Sequence, residues 1–458
     1  MPTDFAALPL SPAMLSNLQS MGYEAMTPIQ AASLPAVLDG RDVIAQAKTG
    51  SGKTAAFGIG LLTKIDAQNF NVQALVLCPT RELADQVGKE IRRLARCLPN
   101  IKLLTLCGGS PIGPQFGSLE HGAHIIVGTP GRVKKHLDKA SLKLADVTTL
   151  VLDEADRMLD MGFYDDIAEI IAHAPSHRQT LLFSATYPAA IKELSARFQK
   201  NAVDVKVETM HDDAQIEQLF YETTAQQKPA LLAALLAHYR PESAVVFCNT
   251  KIQCQEVADA LARAGFSAQA LHGDMEQKDR DRVLVLFANK SNPILVATDV
   301  AARGLDVKDL QAVISYDLAF EAETHIHRIG RTGRAGKAGL ALALVTPSDA
   351  QRMIAIEEYQ KTTLVYGNAN ALLKNSTEEA APQMITLCID GGRKDKVRPG
   401  DILGALTGEA GIASEHVGKI DIFDNHAYVA IAQSMAQKAL QRLADGKIKG
   451  RKFKVRKL

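Results

Sequence analysis

Through about residue 350 the chain alternates short apolar runs with longer stretches whose apolar positions recur at helical spacing. The runs Asp42–Ala47, Gln73–Cys78, Leu103–Cys107, His124–Gly128, Leu150–Asp153 and Thr180–Ser184 are rich in Val, Ile and Leu. Unbroken apolar strands separated by amphipathic helices are what a parallel sheet covered on both faces requires. A second series follows at Ala244–Cys248, Gln269–His272, Ile294–Ala297, Ala312–Tyr316 and Leu340–Val345. The pattern predicts two α/β lobes, residues 1–208 and 209–366, joined through the polar stretch Glu208–Gln215.

After a terminal helix around Ser348–Lys361 the pattern changes. Residues 367–381 are rich in Asn, Ala, Glu, Ser and Thr and read as a tether. Residues 382–458 then order as strand (Met384–Ile389), helix (Arg398–Thr407), strand (Val417–Phe423), strand (His426–Ala432), helix (Met435–Leu443) and strand (Arg451–Arg456). That order, βαββαβ, predicts a small α+β module of RRM-like fold.

Charge sharpens this division. The whole chain carries a formal net charge of only +1, but residues 382–458 carry +6 and the remainder −5. A basic tail on a mildly acidic body points to a polyanionic partner for the tail. None of the six cysteines is in CxxC spacing, and several sit in apolar runs, so reduced buried thiols are expected rather than disulfides or a metal cage. No basic segment leads into an apolar core at the N-terminus, and no apolar run approaches the ~18 residues of a membrane span. The chain therefore reads as soluble and cytoplasmic, and without coiled-coil heptads as a monomer.

The segment Ala47, Lys48, Thr49, Gly50, Ser51, Gly52, Lys53, Thr54 joins a predicted strand to a predicted helix. Gly50 and Gly52 let backbone N–H groups approach phosphate oxygens, and the helix turns its positive end to the anion. Lys53 would reach the β- and γ-phosphates, and Thr54 would hold magnesium. Ala47 stands where the general phosphate-loop pattern has its first Gly; that position mainly sets a turn. Asp153 and Glu154 end a predicted strand, where open α/β sheets place their ligands. Asp153 can hold hydrated magnesium, and Glu154 can orient and deprotonate an attacking water. The segment His327-Arg328-Ile329-Gly330-Arg331-Thr332-Gly333-Arg334 brings three arginines and two glycines together. Arg331 and Arg334 read as arginine fingers for the transferring γ-phosphoryl, supplied in cis from the second lobe.

These segments, in this order, resemble the DEAD-box ATP-dependent RNA helicases. Phe5, Gly22-Tyr23 and Thr27-Pro28-Ile29-Gln30 are similar to that family's adenine-reading Q motif. Pro79–Ala84, Gly108-Gly109 and Thr129–Arg132 are similar to its first-lobe RNA contacts, Asp153–Asp156 to its namesake and Ser184–Thr186 to its coupling motif. In the second lobe Val246–Thr250, Gln277 with Arg280, Ala297–Asp306 and His327–Arg334 match in turn. The resemblance covers residues ~5 to ~350 and implies two tandem RecA-like parallel-sheet domains that use ATP and Mg2+. It implies that Tyr23 packs on the adenine, that Gln30 bonds its edge, and that Asp306 takes the ribose. It places Arg81, Gly109, Thr129, Arg132, Thr250, Gly273, Arg280 and Thr298 along an RNA backbone. Ser184, Thr186 and His327 would couple the two events. With both lobes needed, ATP and RNA would raise each other's affinity, and duplex separation would be local and non-processive.

In the tail, the octamer that carries base-stacking aromatics in an RRM aligns with Asp424–Ile431. Only Tyr428 is a clear aromatic there, and Met384–Ile389 offers none. The stacking face is thus largely missing. Phosphate contact is expected instead from Arg393, Lys394, Lys396 and Arg398, and from the Lys and Arg residues of 447–457, Lys452 among them. A DEAD-box core with such a tail resembles the bacterial DbpA type of that family. This resemblance implies a large-subunit ribosomal RNA hairpin as the tail's partner and a role in assembling the pre-ribosomal large subunit. Two other readings stand beside it: an ATP-dependent RNA clamp with little turnover, and a DNA-stimulated ATPase.

Overall fold

The computed structural model describes residues 3–47, 50–207, 216–302, 310–333, 338–374, 382–408 and 411–458. These residues form two compact units, one up to Val207 and one from Ile216 to the C-terminus. The expected joint Glu208–Gln215 lies outside the described residues.

The first unit is a parallel sheet of β1 (Val43–Gln46), β2 (Ala74–Leu77), β3 (Leu103–Leu106), β4 (Ile125–Gly128), β5 (Thr149–Asp153), β6 (Gln179–Ser184) and β7 (Val203–Lys206). Its order is β3-β4-β2-β5-β6-β1-β7. Successive residues of a strand face opposite ways. Val76, Val127, Val151, Leu181 and Phe183 therefore enter one apolar layer, while Leu75, Leu77, Ile126, Leu150, Leu152 and Leu182 enter another. All six apolar runs are strands. The seventh strand, Val-Asp-Val-Lys, gives no such run because it lies at the sheet edge and buries only Val205.

The second unit holds β8 (Ile216–Glu222), β9 (Ala244–Phe247), β10 (Ala268–Leu271), β11 (Ile294–Ala297), β12 (Ala312–Ser315) and β13 (Gly339–Val345), parallel in the order β10-β11-β9-β12-β13-β8. The edge strand β8 also carries no clean apolar run, for the same reason. The expected tether, 367–381, begins with a helix, Ala369–Lys374. Ala369, Leu372 and Leu373 share one helical face and pack into the apolar layer that contains Leu231 and Leu235. Composition hid this i, i+3, i+4 pattern; residues 375–381 lie outside the described residues.

The same unit includes the tail module: β14 (Met384–Ile389), β15 (Val417–Ile422), β16 (Ala427–Ala432) and β17 (Val455–Lys457), antiparallel in the order β15-β16-β14-β17. Helices Pro399–Thr407 and Ala436–Asp445 cover one face through Leu387, Ile389, Val429 and Ile431. The last strand is shorter than the expected Arg451–Arg456. Lys449 and Gly450 take positive φ in a tight turn that bridges Ile448 to Arg451, and pairing with β14 starts only at Val455.

The other sheet face, carrying Thr386, Cys388, Tyr428 and Ala430, is also buried. The cover comes from the second lobe. Val285, on helix Gln277–Ala288, packs with Cys388 and Tyr428. Just beyond that helix, Asn289 Nδ2 donates to Thr386 Oγ1 (3.3 Å), and Ser291 Oγ shares a hydrogen bond with the same oxygen (2.5 Å). The face where an RRM stacks bases is here an internal docking face.

Candidate nucleotide and RNA sites

In the first unit the candidate residues separate by strand order. Strands β3, β4 and β2 are neighbours, and their C-terminal ends deliver Gly108-Gly109, Thr129 and Thr80-Arg81. Strands β5, β6 and β1 are neighbours on the other side, and their ends deliver Asp153-Glu154, Ser184–Thr186 and Ala47. One sheet edge thus carries two rows, one suited to a phosphate chain and one to a triphosphate.

In the second row, Gly50 and Gly52 take φ of +85° and +94°, conformations that side chains resist. Lys48 and Thr49 lie outside the described residues. Lys53 opens helix Lys53–Leu62, is 6% exposed, and donates from Nζ to the Ala47 carbonyl (2.7 Å). Thr54 follows on the same first turn, and Ser51 Oγ is buried without a hydrogen-bond partner, a group that a phosphate oxygen would satisfy. Gln30 is buried and uses its amide in both senses: Oε1 accepts from the Thr27 N–H (2.9 Å) and Nε2 donates to the Gly52 carbonyl (3.1 Å). Tyr23 Oη donates to Glu90 Oε1 (2.6 Å) and its ring meets Phe5 edge-on. Burial and that bond push the phenol well above its ordinary range. A Cβ on Gly52 would stand 2.5 Å from Gln30 Nε2. We expect Gly52→Ala to raise the KM for ATP about tenfold or more, from backbone strain and the displaced Gln30; an ATP titration of turnover checks this.

Asp153 ends β5 and is 3% exposed; burial pushes its carboxyl up to about 7, with Lys53 opposing and Glu154 adding to the rise. Glu154 sits in the left-handed region (φ +52°), its N–H donating to Asp153 Oδ1 (3.0 Å) and its Oε2 accepting from Arg157 Nη1 (2.8 Å). Asp156 Oδ2 accepts from the N–H of Ala185, the N–H of Thr186 and Thr186 Oγ1, at 2.9–3.1 Å. Burial would raise this carboxyl, but Lys53 and the Thr186 bonds outweigh it and hold it below the ordinary range. Ser184 Oγ accepts from the Asp156 N–H (3.4 Å), so the coupling segment is tied directly to the acidic one. Among the described residues no three His, Cys, Asp or Glu side chains form a metal cage. A buried Asp beside a phosphate loop suits magnesium, which takes one or two carboxylates and completes its shell with water and phosphate oxygens.

The second unit repeats the row along β10, β11 and β9. Gly273 follows β10, Thr298 follows β11 and Thr250 follows β9. Thr250 Oγ1 caps helix Lys251–Arg263 by accepting from Gln253 N–H (3.2 Å), and Arg280 Nη1 donates to the His272 carbonyl (3.4 Å). Helix Ala322–Ile329 carries His327, and Arg331 follows it, 7% exposed. Asp306 and Arg334 lie outside the described residues.

A DEAD/DEAH box helicase family model matches residues 27–194, a helicase conserved C-terminal domain residues 227–336, and a DbpA RNA binding domain residues 386–457. The chain is 56% identical over 449 residues to the ATP-dependent RNA helicase DbpA of Escherichia coli (strain K12), with 98% of each covered. The chain belongs to the DEAD-box ATP-dependent RNA helicases. This helicase is also 44% identical over 360 residues to the DEAD-box ATP-dependent RNA helicase CshA of Bacillus cereus (strain ATCC 10987 / NRS 248), over 78% of this chain and 68% of the relative. Among solved structures, Saccharomyces cerevisiae Dbp5 bound to RNA and ADP BeF3 matches with a TM-score of 0.74 at 30% identity, over 81% of this chain and 98% of that one.

In the helicase tail, Arg393, Lys394, Lys396, Arg398, Lys447, Lys449, Arg451 and Lys452 are exposed and lie off the docked face. Lys449 Nζ donates to the Lys396 carbonyl (3.0 Å), which joins the first-loop and C-terminal cations into one basic surface. Sequence reasoning missed the partners that hold the helicase residues in place. Arg157 was within reach of the i, i+3 rule from Glu154. Glu90, which holds Tyr23, and Gln115, which holds Arg132, act across separations that no local pattern reveals.

Proposed function

We propose that this helicase couples RNA-stimulated ATP hydrolysis to local, non-processive separation of short RNA duplexes. Its tail directs it to a hairpin of large-subunit ribosomal RNA during assembly of that subunit. It works as a cytoplasmic monomer. Lys53 and Ser51 hold phosphate oxygens, Glu154 takes the proton of the attacking water, and Arg331 and Arg334 are arginine fingers on the γ-phosphoryl. Asp153 and Thr54 would hold magnesium, which when bound neutralises charge on the β- and γ-phosphates. Arg81, Gly109, Thr129, Arg132, Thr250, Gly273, Arg280 and Thr298 run along the RNA backbone and read no sequence.

The observation that carries the tail reading is the joined basic surface around Lys396 and Lys449, set apart from a sheet face that the second lobe already covers. Such a tail offers phosphate contacts to a structured RNA and little stacking to a single strand. ATP turnover against ribosomal RNA fragments, an unrelated structured RNA and single-stranded DNA tests the reading. We expect the ribosomal fragments to stimulate most. The triple variant Arg393→Ala, Lys394→Ala, Lys452→Ala should lose that preference while keeping turnover on unstructured RNA. Equal stimulation by the unrelated RNA would remove the ribosomal target, and equal stimulation by DNA would remove the preference for RNA.

A further inference from the structure

Arg132 is braced by the protein on two sides. Its Nη1 donates to Gln115 Oε1 (2.8 Å) and its Nη2 to the Ser110 carbonyl (2.9 Å), on the loop that follows Gly108-Gly109. Gln115 is fixed in turn: Nε2 donates to the Cys107 carbonyl (3.3 Å), and Oε1 lies 2.9 Å from His136 Nε2. His136 is fully buried, with Phe116 edge-on against its ring and Ser141 Oγ 2.9 Å from Nδ1. An amide oxygen only accepts, so His136 Nε2 carries a proton and points it at Gln115. Burial, and then Arg132, hold this imidazole below its ordinary pKa, which favours the neutral ring with that tautomer. Helices Gly113–Glu120 and Pro130–Asp138 are thereby linked through a buried histidine that the hydrolysis does not use.

A second observation points to an anion at the same place. Arg81 keeps Nε and Nη1 buried without a hydrogen-bond partner. Burial and the Arg81 charge together push Arg132 below its ordinary value, so two guanidinium groups stand close enough to feel each other. A backbone phosphate would relieve both.

We propose that Gln115 and His136 are positioning residues for RNA, holding the Arg132 guanidinium in the orientation that receives a backbone phosphate. The proposal rests on the reading of Arg132 as an RNA contact. Its benefit is preorganisation: a side chain already immobilised has less freedom to lose on binding.

The test uses the full-length helicase, a single-stranded oligoribonucleotide and a non-hydrolysable ATP analogue. Gln115→Met fills the same space without either hydrogen bond. We expect it to weaken RNA binding about 3- to 10-fold and to leave the KM for ATP within about twofold. His136→Leu should act in the same direction, and the double variant should be no worse than the weaker single, because both cut one chain. The salt dependence separates positioning from contact. Arg132→Ala removes a phosphate contact and should lower the slope of log affinity against log salt by about 0.7; Gln115→Met keeps the charge and should leave the slope unchanged. If Arg132→Ala binds RNA as tightly as the parent, the underlying assignment of Arg132 fails. If Arg132→Ala weakens binding and Gln115→Met does not, the positioning role fails. Should His136→Leu not fold, as a thermal melt would show, the half-exposed Gln115 site decides alone.

Discussion

Replacing Glu154 by Gln is expected to lower RNA-stimulated turnover by about 10²- to 10⁴-fold, the usual contribution of a positioned general base, while ATP and RNA still bind. The geometry makes the separation clean. Glu154 stands at the end of β5 with φ +52°, a left-handed conformation imposed by the passage from strand into helix Ala155–Asp160. Its side chain is held by Arg157 Nη1 at 2.8 Å, and an amide oxygen can accept that same bond. The substitution therefore keeps the shape and the acceptor for Arg157, and removes the basicity together with the charge of this ion pair. The groups proposed for binding are others: Lys53 and the glycine loop for the triphosphate, and the β3-β4-β2 row for RNA. A helicase that binds both without hydrolysing ATP should release RNA slowly in the presence of ATP. Single-turnover hydrolysis with an RNA off-rate measurement checks both halves. Turnover within tenfold of the parent would remove Glu154 from the chemistry. Loss of nucleotide binding would mean that its role is structural.

The outline of this machine was legible where burial is complete. A strand covered on both faces must be apolar throughout, so the nine interior strands of the two parallel sheets stood out as runs, and the edge strands β3 and β10 showed with them. The two that did not, β7 and β8, are edge strands, where solvent accepts Asp204, Lys206 and Glu217. The tail shows the opposite limit. Its octamer offers one clear aromatic, Tyr428, and Met384–Ile389 none, but nothing in the sequence says why. The reason is that Tyr428, Cys388 and Thr386 meet Val285, Asn289 and Ser291 about a hundred or more residues earlier in the chain. The candidate chemistry-bearing residues could be named from sequence because phosphate and water chemistry demands particular types at strand ends. The residues that aim them were not. Gln115, Glu90 and His136 are ordinary polar residues whose meaning comes only from the bonds they make.

Arg328 is the sharpest case of that kind, and its removal is expected to produce the largest loss of stability in the second unit. Of the three arginines in His327–Arg334, only Arg331 and Arg334 read as fingers, and the first, Arg328, is spent inside. Arg328 is 1% exposed. Its Nε and Nη2 form a paired contact with the two Asp299 oxygens at 2.8 and 2.7 Å. Nη2 also reaches Asn249 Oδ1 (3.0 Å), Nη1 reaches the Asp317 carbonyl (2.5 Å), and the guanidinium lies 5.0 Å from the Phe247 ring centroid. One side chain thus ties helix Ala322–Ile329 to the ends of β9, β11 and β12. Arg328→Ala leaves Asp299 and Asn249 facing a void. Breaking a buried pair costs about 3–5 kcal/mol, and the lower end applies because Asp299 keeps partial access to water. For a unit of this size that corresponds to a melting temperature lower by on the order of 10 °C. Arg328→Lys should recover little, since an ammonium cannot span two carboxylate oxygens, an amide oxygen and a carbonyl in one plane. Turnover should fall with stability, because the helix that carries His327 and leads to Arg331 loses its anchor. A double-mutant cycle with Asn249→Ala separates the contributions: a buried network predicts strong non-additivity. An unchanged melt, or simple additivity, would make Arg328 a solvent-side cation after all.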